Sequence, residues 1–455
     1  MSVQPQSRQD CASNRDDSAD DCDNDVTTNP SSTSCQCSLA GDHVDDQDDS
    51  WIDPRDMTLL NALDSDPGLR FRRLSKAARP VRLVGEGAAN AVFEIRDSAD
   101  FDGLLLRVAK VPSRDCPPTY NYLFQQNFYQ TSIQPLLDGY AVHQELVVIR
   151  RSGIVEKLNK LLQEIDSSRK PKFRGSFVGQ SDWAFLVQDM RPADPNECLL
   201  IEFKPKWLCQ SPSAPPAAVR CRQCAMELRN LIKNPDRDLP ETKPCPLTLA
   251  NSEAPSQARC LFRIAPQLAG IDADDDLRRA VANHPALRQL KTQQQRHDRL
   301  GPLYAEHSNA FLVAMTLRDC TCFVQIPRNQ QEPLLLRLGD FDWKDPKVKF
   351  KGWRKAEEEL IEGAFYTADL ILCGDSYYHP PTLCALEFAP RPHHADLPHL
   401  LNIQDDTRME NRDVETDMKM FNHQADVTAL QQRLEKFRIA STEEPLAAHR
   451  RFLTG

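Results

Sequence analysis

A phosphate-binding loop is indicated by a run of small residues between two strand-like segments: Gly85, Glu86, Gly87, Ala88, Ala89 and Asn90. Small side chains let backbone N–H groups approach phosphate oxygens closely. Arg107, in the next apolar strand LLLRVAK, stands where a cation would reach phosphates beneath such a loop. Taken alone, the loop is equally compatible with an ordinary turn. For Arg107, a solvated strand position is the less favoured alternative.

Two lysines that flank a proline, Lys204 and Lys206, follow the apolar run CLLIEF. Alternate side chains of an extended segment share a face, so these two ammonium groups would point the same way. Paired ammonium groups suit a polyphosphate. A solvated pair at the end of a strand is an equally good interpretation of these two residues by themselves.

Three aspartates stand at the ends of two strand-like runs, DCTCFVQI and PLLLRLGDFDW. Asp319 opens the first run and could accept a proton from a sugar-like hydroxyl, although a turn or cap role is commoner for a lone aspartate. Asp340 and Asp342 follow Gly339 at the end of the second run, and their carboxylates suit Mg²⁺. One acid in each of two consecutive strands, after a phosphate loop, is the arrangement that phosphoryl transfer requires.

The elements that must position these residues are mostly strands in the amino-terminal part of the chain and a mixture of helices and strands in the later part. This order predicts an α+β protein with a nucleotide cleft between two lobes. Helices are expected near residues 121–137, 219–233 and 275–299, and in WRKAEEELIEGAFY. We expect a disordered acidic tail at 1–50, an amino-terminal lobe with the phosphate loop at 51–192, and a carboxyl-terminal lobe with the substrate and metal site at 193–455.

Composition excludes several classes of function. The 455 residues are 40% hydrophobic and 27% charged, enough for a sizeable core. No apolar run approaches the roughly 18 to 20 residues of a membrane span, and the first residues lack a secretory signal. An intracellular protein that does not enter a membrane is therefore expected.

The net charge of -10 is concentrated in the first 50 residues, which hold about a dozen Asp. Such a segment is typical of disorder, and the acidic balance argues against direct nucleic-acid binding. The remainder is nearly neutral, which leaves room for a local basic pocket.

The fifteen cysteines are scattered along a long chain, so reduced thiols are expected rather than a disulfide framework. Cys221 and Cys224 form a C-x-x-C pair, but no second pair stands at zinc-finger spacing. We expect these two to be ordinary residues of a helix rather than metal ligands.

In this order the motifs G-E-G-A-A-N, L-R-x-x-K, E-x-K-P-K, R-D-C-T and D-x-D-x-K resemble the inositol-pentakisphosphate 2-kinase family, particularly its fungal members. The similarity runs, with gaps, from about Val81 to Tyr366. It implies a protein-kinase-like fold and transfer of the ATP γ-phosphate to the 2-hydroxyl of inositol 1,3,4,5,6-pentakisphosphate, giving inositol hexakisphosphate. We expect a monomer in the nucleus, the cytoplasm or both.

The resemblance also implies residue roles around ATP and magnesium. Gly85 to Asn90 and Arg107 would hold ATP, and Gln188, Asp189 and Met190 would form the hinge beside adenine. Asp340 would bind Mg²⁺ with support from Asp342.

By the same resemblance, Lys204 would bridge the transferred phosphate and Asp319 would be the general base. The residues implied for inositol phosphate binding are Lys206, Arg220, Arg222, Arg263 and Lys344. The family's remaining substrate-binding residues are not plainly matched, and Lys349, Lys351 and Trp353 are candidate replacements. No counterpart of the zinc site of plant members is found. Two other readings stay open: a kinase for another inositol phosphate, and a catalytically silent inositol-phosphate-binding or scaffold protein.

Overall fold

The computed structural model describes residues 71–97, 101–114, 116, 119–240, 243–259, 275–305, 308–329, 333–389, 399–403, 427–439, 445 and 447. The expectations for the acidic tail at 1–50 and for Arg263 concern residues outside these ranges.

The strands form three sheets within the described ranges. The strands are β1 (Arg72–Arg73), β2 (Arg79–Glu86), β3 (Asn90–Arg96), β4 (Leu104–Val111), β5 (Gln144–Val148), β6 (Phe177–Val178), β7 (Trp183–Gln188), β8 (Cys198–Phe203), β9 (Thr321–Pro327), β10 (Leu335–Gly339), β11 (Leu370–Cys373), β12 (Ser376–Tyr378) and β13 (Leu400–Ile403). A seven-stranded sheet has the order β1-β5-β7-β4-β3-β2, with β6 pairing with β4, and it is antiparallel except for β1 beside β5. The two three-stranded sheets have the orders β10-β9-β8 and β12-β11-β13.

The helices are α1 (Tyr122–Phe128), α2 (Ile154–Glu164), α3 (Arg222–Lys233), α4 (Pro246–Leu249), α5 (Asp275–Ala282), α6 (Pro285–His297), α7 (Asn309–Asp319), α8 (Pro346–Glu362) and α9 (Val427–Leu434). The helix expected at 219–233 is confirmed within three residues. The region expected at 121–137 is α-helical only to Phe128 and continues as π-helical and 3-10 turns to Leu136. The helix expected in WRKAEEELIEGAFY is confirmed, but α8 begins seven residues before it. The region at 275–299 is two helices, because Pro285 cannot continue α5 and instead opens α6. The sequence analysis missed α2, α4, α7 and α9.

Alternation of apolar residues explains the first sheet. β3 buries every second side chain, as expected for a strand with one face against a core, whereas the central strand β4 is buried over most of its length. The apolar stripe of α2, including Leu158 and Leu162, packs on Phe93 and Leu106 of that core.

The second sheet determines where the acidic residues lie. Gly339, at the end of β10, pairs with Thr321, at the start of β9. Asp340 therefore leaves the same sheet edge at which Asp319, the last residue of α7, enters. α7 is held there because Leu317 and Val313 pack in one core with the sheet.

Backbone contacts join the first two sheets. Leu338 in β10 donates its N–H to the Tyr140 carbonyl at 2.8 Å, and Val142 donates to the Leu338 carbonyl at 2.7 Å.

Mixed helices and separate sheets agree with the α+β expectation. β7 is the last strand along the chain in the seven-stranded sheet, and β8 belongs to the second sheet, so the expected limit at residues 192 and 193 lies between these two sheets. The two-lobed, kinase-like arrangement and the domain limits stay predictions. None of the helices in the described ranges is long and apolar enough to cross a membrane.

Candidate functional site

Seven charged side chains from four separate parts of the chain form one cluster. They come from the middle of β4, the segment after β8, the end of α7 and the segment after β10. The members are Arg107, Lys204, Lys206, Asp319, Asp340, Asp342 and Lys344. We call this set the charged cluster. All seven were site residues in the sequence analysis.

Asp319 lies at the centre of three lysines. Its Oδ1 is 3.3 Å from Lys204 Nζ and 3.2 Å from Lys206 Nζ, and its Oδ2 pairs with Lys344. Burial would raise the pKa of Asp319, but Lys344, Lys206 and Lys204 together hold this pKa well below its ordinary value. The carboxylate is therefore ionised at neutral pH.

The lysines remain open to a ligand although the carboxylate is buried. The Asp319 side chain is 6% exposed, whereas those of Lys344, Lys206 and Lys204 are 13%, 19% and 27% exposed. Lys206 has a positive φ of 52°, a strained conformation for a residue with a side chain. Its carbonyl accepts a hydrogen bond from Gln294 at 2.9 Å, which helps to hold that turn.

Asp340 and Asp342 converge on Arg107. The Nη2 of Arg107 is 2.7 Å from an oxygen of each carboxylate. Asp342 also accepts hydrogen bonds from Asn90 and from the Tyr120 hydroxyl, both at 2.8 Å. Partial desolvation among the surrounding side chains would raise the pKa of Asp340, but the nearby cations, chiefly Arg107, keep it below its ordinary value although its side chain is 39% exposed. The contact from Asn90 ties Asp342 to the start of β3, and those from Arg107 tie both acids to β4.

The small-residue loop is the turn between β2 and β3. Gly87 donates its N–H to the Asn90 carbonyl at 2.9 Å, and the Ala89 carbonyl accepts from Lys110 N–H at 2.8 Å. The carboxylate of Glu86 pairs with Lys110 at 2.9 Å and with Arg169. Glu86 thus anchors the loop through its side chain, and any contact with a nucleotide would involve its backbone.

The segment expected to form a hinge leads out of β7 toward the second sheet. Asp189 donates its N–H to the Gly103 carbonyl at 2.8 Å, and its carboxylate pairs with Arg191. The Met190 carbonyl accepts a hydrogen bond from Gln325 in β9 at 2.9 Å. These residues therefore contact both sheets, and their role beside adenine stays a prediction.

Two of the arginines expected to bind substrate have buried carboxylate partners. Arg220 pairs with Glu387 at 2.7 Å, and Arg222 pairs with Glu357 at 2.7 Å. A phosphate would have to share or displace these carboxylates. Their assigned contact with substrate, like that of Arg263 outside the described ranges, stays a prediction.

Trp207 lies between Arg222 and Arg318, the chain neighbour of Asp319. The guanidinium of Arg318 lies 3.4 Å from the centre of its ring, and that of Arg222 lies 4.4 Å away. Arg318 also pairs with Asp298 at 2.7 Å. Trp353, a candidate replacement ligand, is buried in the same apolar cluster as Trp207 and so belongs to the core. Sequence reasoning missed this network because its members are far apart along the chain.

Cys221 and Cys224 stand at the start of α3, as expected of helix residues, but two further cysteines approach them. The sulfur atoms of Cys221 and Cys224 lie together with those of Cys245 and Cys384, all within 4.8 Å of one another. Cys245 is 24 residues from Cys221, and Cys384 is 139 residues from Cys245, so neither matched a zinc-finger spacing.

Comparison with known proteins identifies relatives of the chain. The family model described as "Inositol-pentakisphosphate 2-kinase" matches residues 84–268 and 274–359, more than half of the chain. A curated protein named inositol-pentakisphosphate 2-kinase, from Yarrowia lipolytica, is 27% identical over 300 residues. That alignment covers 62% of this chain and 91% of the relative. The matched ranges include the whole charged cluster.

Proposed function

This chain belongs to the inositol-pentakisphosphate 2-kinase family, and we propose that it transfers the γ-phosphate of ATP to the 2-hydroxyl of inositol 1,3,4,5,6-pentakisphosphate. The product would be inositol hexakisphosphate. The observation that carries this proposal is the charged cluster, in which one buried carboxylate is surrounded by three partly exposed lysines. Such a cluster pairs a proton acceptor with cations for phosphate, the two requirements of this reaction.

Asp319 is the proposed general base. It would accept the proton of the 2-hydroxyl while the hydroxyl oxygen bonds to the γ-phosphorus and the bond to ADP breaks. With three ammonium groups around it, Asp319 is ionised but weakly basic. Phosphates that share those lysines would relieve this stabilisation, so bound substrate would raise the pKa of Asp319 and make it a better base.

The lysines are proposed to bind phosphate. Lys204 reaches both Asp319 and Asp340, so it lies between the proposed base and the proposed metal ligands and is suited to the transferred phosphate. Lys206 and Lys344 approach Asp319 from other positions and would bind phosphates of the inositol ring. Each charge-assisted hydrogen bond would contribute on the order of 1.5–3 kcal/mol.

The acids after β10 fit a magnesium ion. Oxygens of Asp340 and Asp342 converge on one nitrogen of Arg107, and the Asp340 side chain is 39% exposed. Carboxylate oxygens are the ligands that Mg²⁺ prefers, so Asp340 would hold the ion with Asp342 in support. When bound, Mg²⁺ neutralises charge on the nucleotide phosphates. The guanidinium of Arg107 would then turn toward the phosphates under the Gly85 to Asn90 loop.

The test is product analysis with purified protein, ATP, Mg²⁺ and inositol 1,3,4,5,6-pentakisphosphate, followed by ion-exchange chromatography. We expect inositol hexakisphosphate from the native chain and at least a hundredfold lower turnover, about 2.7 kcal/mol, in Asp319→Asn with ATP binding retained. The matched control is Asp182→Asn, because Asp182 pairs with Arg150 away from both the cluster and the turn between β2 and β3. It should keep full turnover.

Each other outcome separates the alternatives. Tight pentakisphosphate binding without turnover would indicate a silent binding protein. Turnover only with a different inositol phosphate would overturn the assigned acceptor. Unchanged turnover in Asp319→Asn would overturn the assigned base.

A further inference from the structure

The four cysteines described above form a second cluster, distinct from the charged cluster. We call Cys221, Cys224, Cys245 and Cys384 the sulfur cluster. Cys221 is the N-cap residue of α3 and Cys224 lies in its first turn, while Cys245 directly precedes α4. Cys384 lies in the segment after β12, a region from which the sequence indicated no function. All four side chains are fully buried.

The separation of the sulfurs fits one metal ion. A tetrahedral ion with Zn–S bonds of about 2.3 Å places its sulfurs roughly 3.8 Å apart. The Sγ atoms of Cys221 and Cys245 are 3.9 Å apart, and those of Cys245 and Cys384 are 3.7 Å apart. A disulfide needs about 2.05 Å, so these distances correspond to separate thiol groups arranged around a point.

The hydrogen bonds around the cluster point to negative sulfur. Arg259, which is buried, donates from Nη2 to Cys224 Sγ at 2.9 Å. Cys221 donates its backbone N–H to Cys384 Sγ at 3.2 Å, and Cys224 donates to Cys221 Sγ at 3.5 Å. N–H groups aimed at the sulfurs are the second-shell contacts that stabilise metal-bound thiolates.

The charge of Arg259 strengthens this argument. A buried guanidinium is costly unless an anion balances it. Its other contact is a hydrogen bond of 2.7 Å to the Lys243 carbonyl, and among the described residues no carboxylate forms an ion pair with it. The sulfur cluster is therefore the group that balances this charge, which requires thiolates rather than four neutral thiols.

We propose that the sulfur cluster is a structural zinc site with four cysteine thiolates as its ligands. Four protein ligands complete the tetrahedron and leave no position for water or substrate, so the site is structural and not catalytic. This inference stands independently of the proposed kinase reaction.

The site would fasten the segment after β12 to the start of α3. Arg220, next to Cys221, donates to Thr382 at 2.9 Å and pairs with Glu387. Glu387 in turn accepts the Cys384 N–H at 2.8 Å. Zinc bound by Cys221 and Cys384 would thus hold the segment from Thr382 to Glu387, which buries Arg220, against the beginning of α3.

The first measurement is metal content of the full chain, purified in reducing buffer without added metal. We expect about one zinc per chain by elemental analysis and a shell of four sulfurs at about 2.3 Å by X-ray absorption. Zinc-free protein, a stoichiometric amount of iron instead, or disulfides among these four cysteines by mass spectrometry of the alkylated chain would each overturn the proposal.

Variants connect the metal to these residues. Cys384→Ala should lower zinc content at least fivefold. The matched control is Cys373→Ala, because Cys373 is equally buried in β11 but lies outside the sulfur cluster. Cys373→Ala should keep the zinc. Loss of zinc only in Cys384→Ala would then show that the metal depends on the Cys384 thiol and not merely on removing a buried cysteine. Equal zinc content in both variants would overturn the ligand assignment, and the absorption measurement on the native chain decides the case if Cys384→Ala does not fold.

Discussion

Replacing Asp298 by asparagine tests the buried network behind the charged cluster. Asp298 Oδ2 is 2.7 Å from Arg318 Nη1, and the two side chains are 1% and 2% exposed. The other oxygen of Asp298 accepts the N–H groups of Leu300 at 3.2 Å and Gly301 at 2.7 Å. Asparagine can keep these backbone contacts through its oxygen, so Asp298→Asn removes the charge that balances Arg318 and the acceptor that faces Arg318 Nη1.

The expected cost follows from leaving the Arg318 guanidinium buried without an anion. Breaking a buried pair by removing one partner costs about 3–5 kcal/mol. The stacking of Arg318 on Trp207 remains and offsets part of this loss, so we expect about 3 kcal/mol. With an unfolding entropy of about 2.1 cal/mol/K per residue, a chain of a few hundred residues loses roughly 1–2 °C in Tm per kcal/mol. The melting temperature should fall by about 3–6 °C.

Differential scanning calorimetry of the native chain and of the variant measures this shift. The matched control is Glu435→Gln, which removes one partner of the exposed pair with Arg438 and should cost less than about 1 kcal/mol. The double variant Asp298→Asn with Arg318→Met should recover part of the loss, because no buried charge is then unbalanced. A Tm for Asp298→Asn within about 1 °C of the native value would refute the reasoning.

Two further predictions concern acid stability and the tail. Asp319 has a folded-state pKa below its unfolded value, so its contribution to stability is present above about pH 4 and is lost as pH falls through the folded pKa. Lys344→Met removes one stabilising cation, so its acid-unfolding midpoint, followed by circular dichroism, should lie at higher pH than that of the native chain; coincident midpoints would contradict this. Deleting residues 1–50 should leave kcat and both KM values within about twofold, since no predicted site residue lies there; a large loss would show that the acidic tail contributes to the reaction.

Local sequence was sufficient for most strands and for the chemistry of the site. β4 and β10 are recognisable because apolar runs end at charged residues, and the lysines around Pro205 were predicted to share a face. Both lysines do contact Asp319, although the positive φ of Lys206, 52°, shows that the segment turns there instead of staying extended as the prediction assumed. α7 was missed because its buried stretch AFLVAMTL lacks the polar face that distinguishes a surface helix.

The sequence by itself determined which residue types are available for phosphate, magnesium and proton transfer, because spacing within one strand or turn is a local property. Tertiary structure alone decided which of them meet. It placed Arg107 between two aspartates more than 230 residues away, engaged Arg220 and Arg222 with buried carboxylates, and brought Cys384 to three other cysteines. Such pairings depend on packing between distant segments, where burial makes an unpaired charge or thiolate costly, and no local pattern encodes that cost.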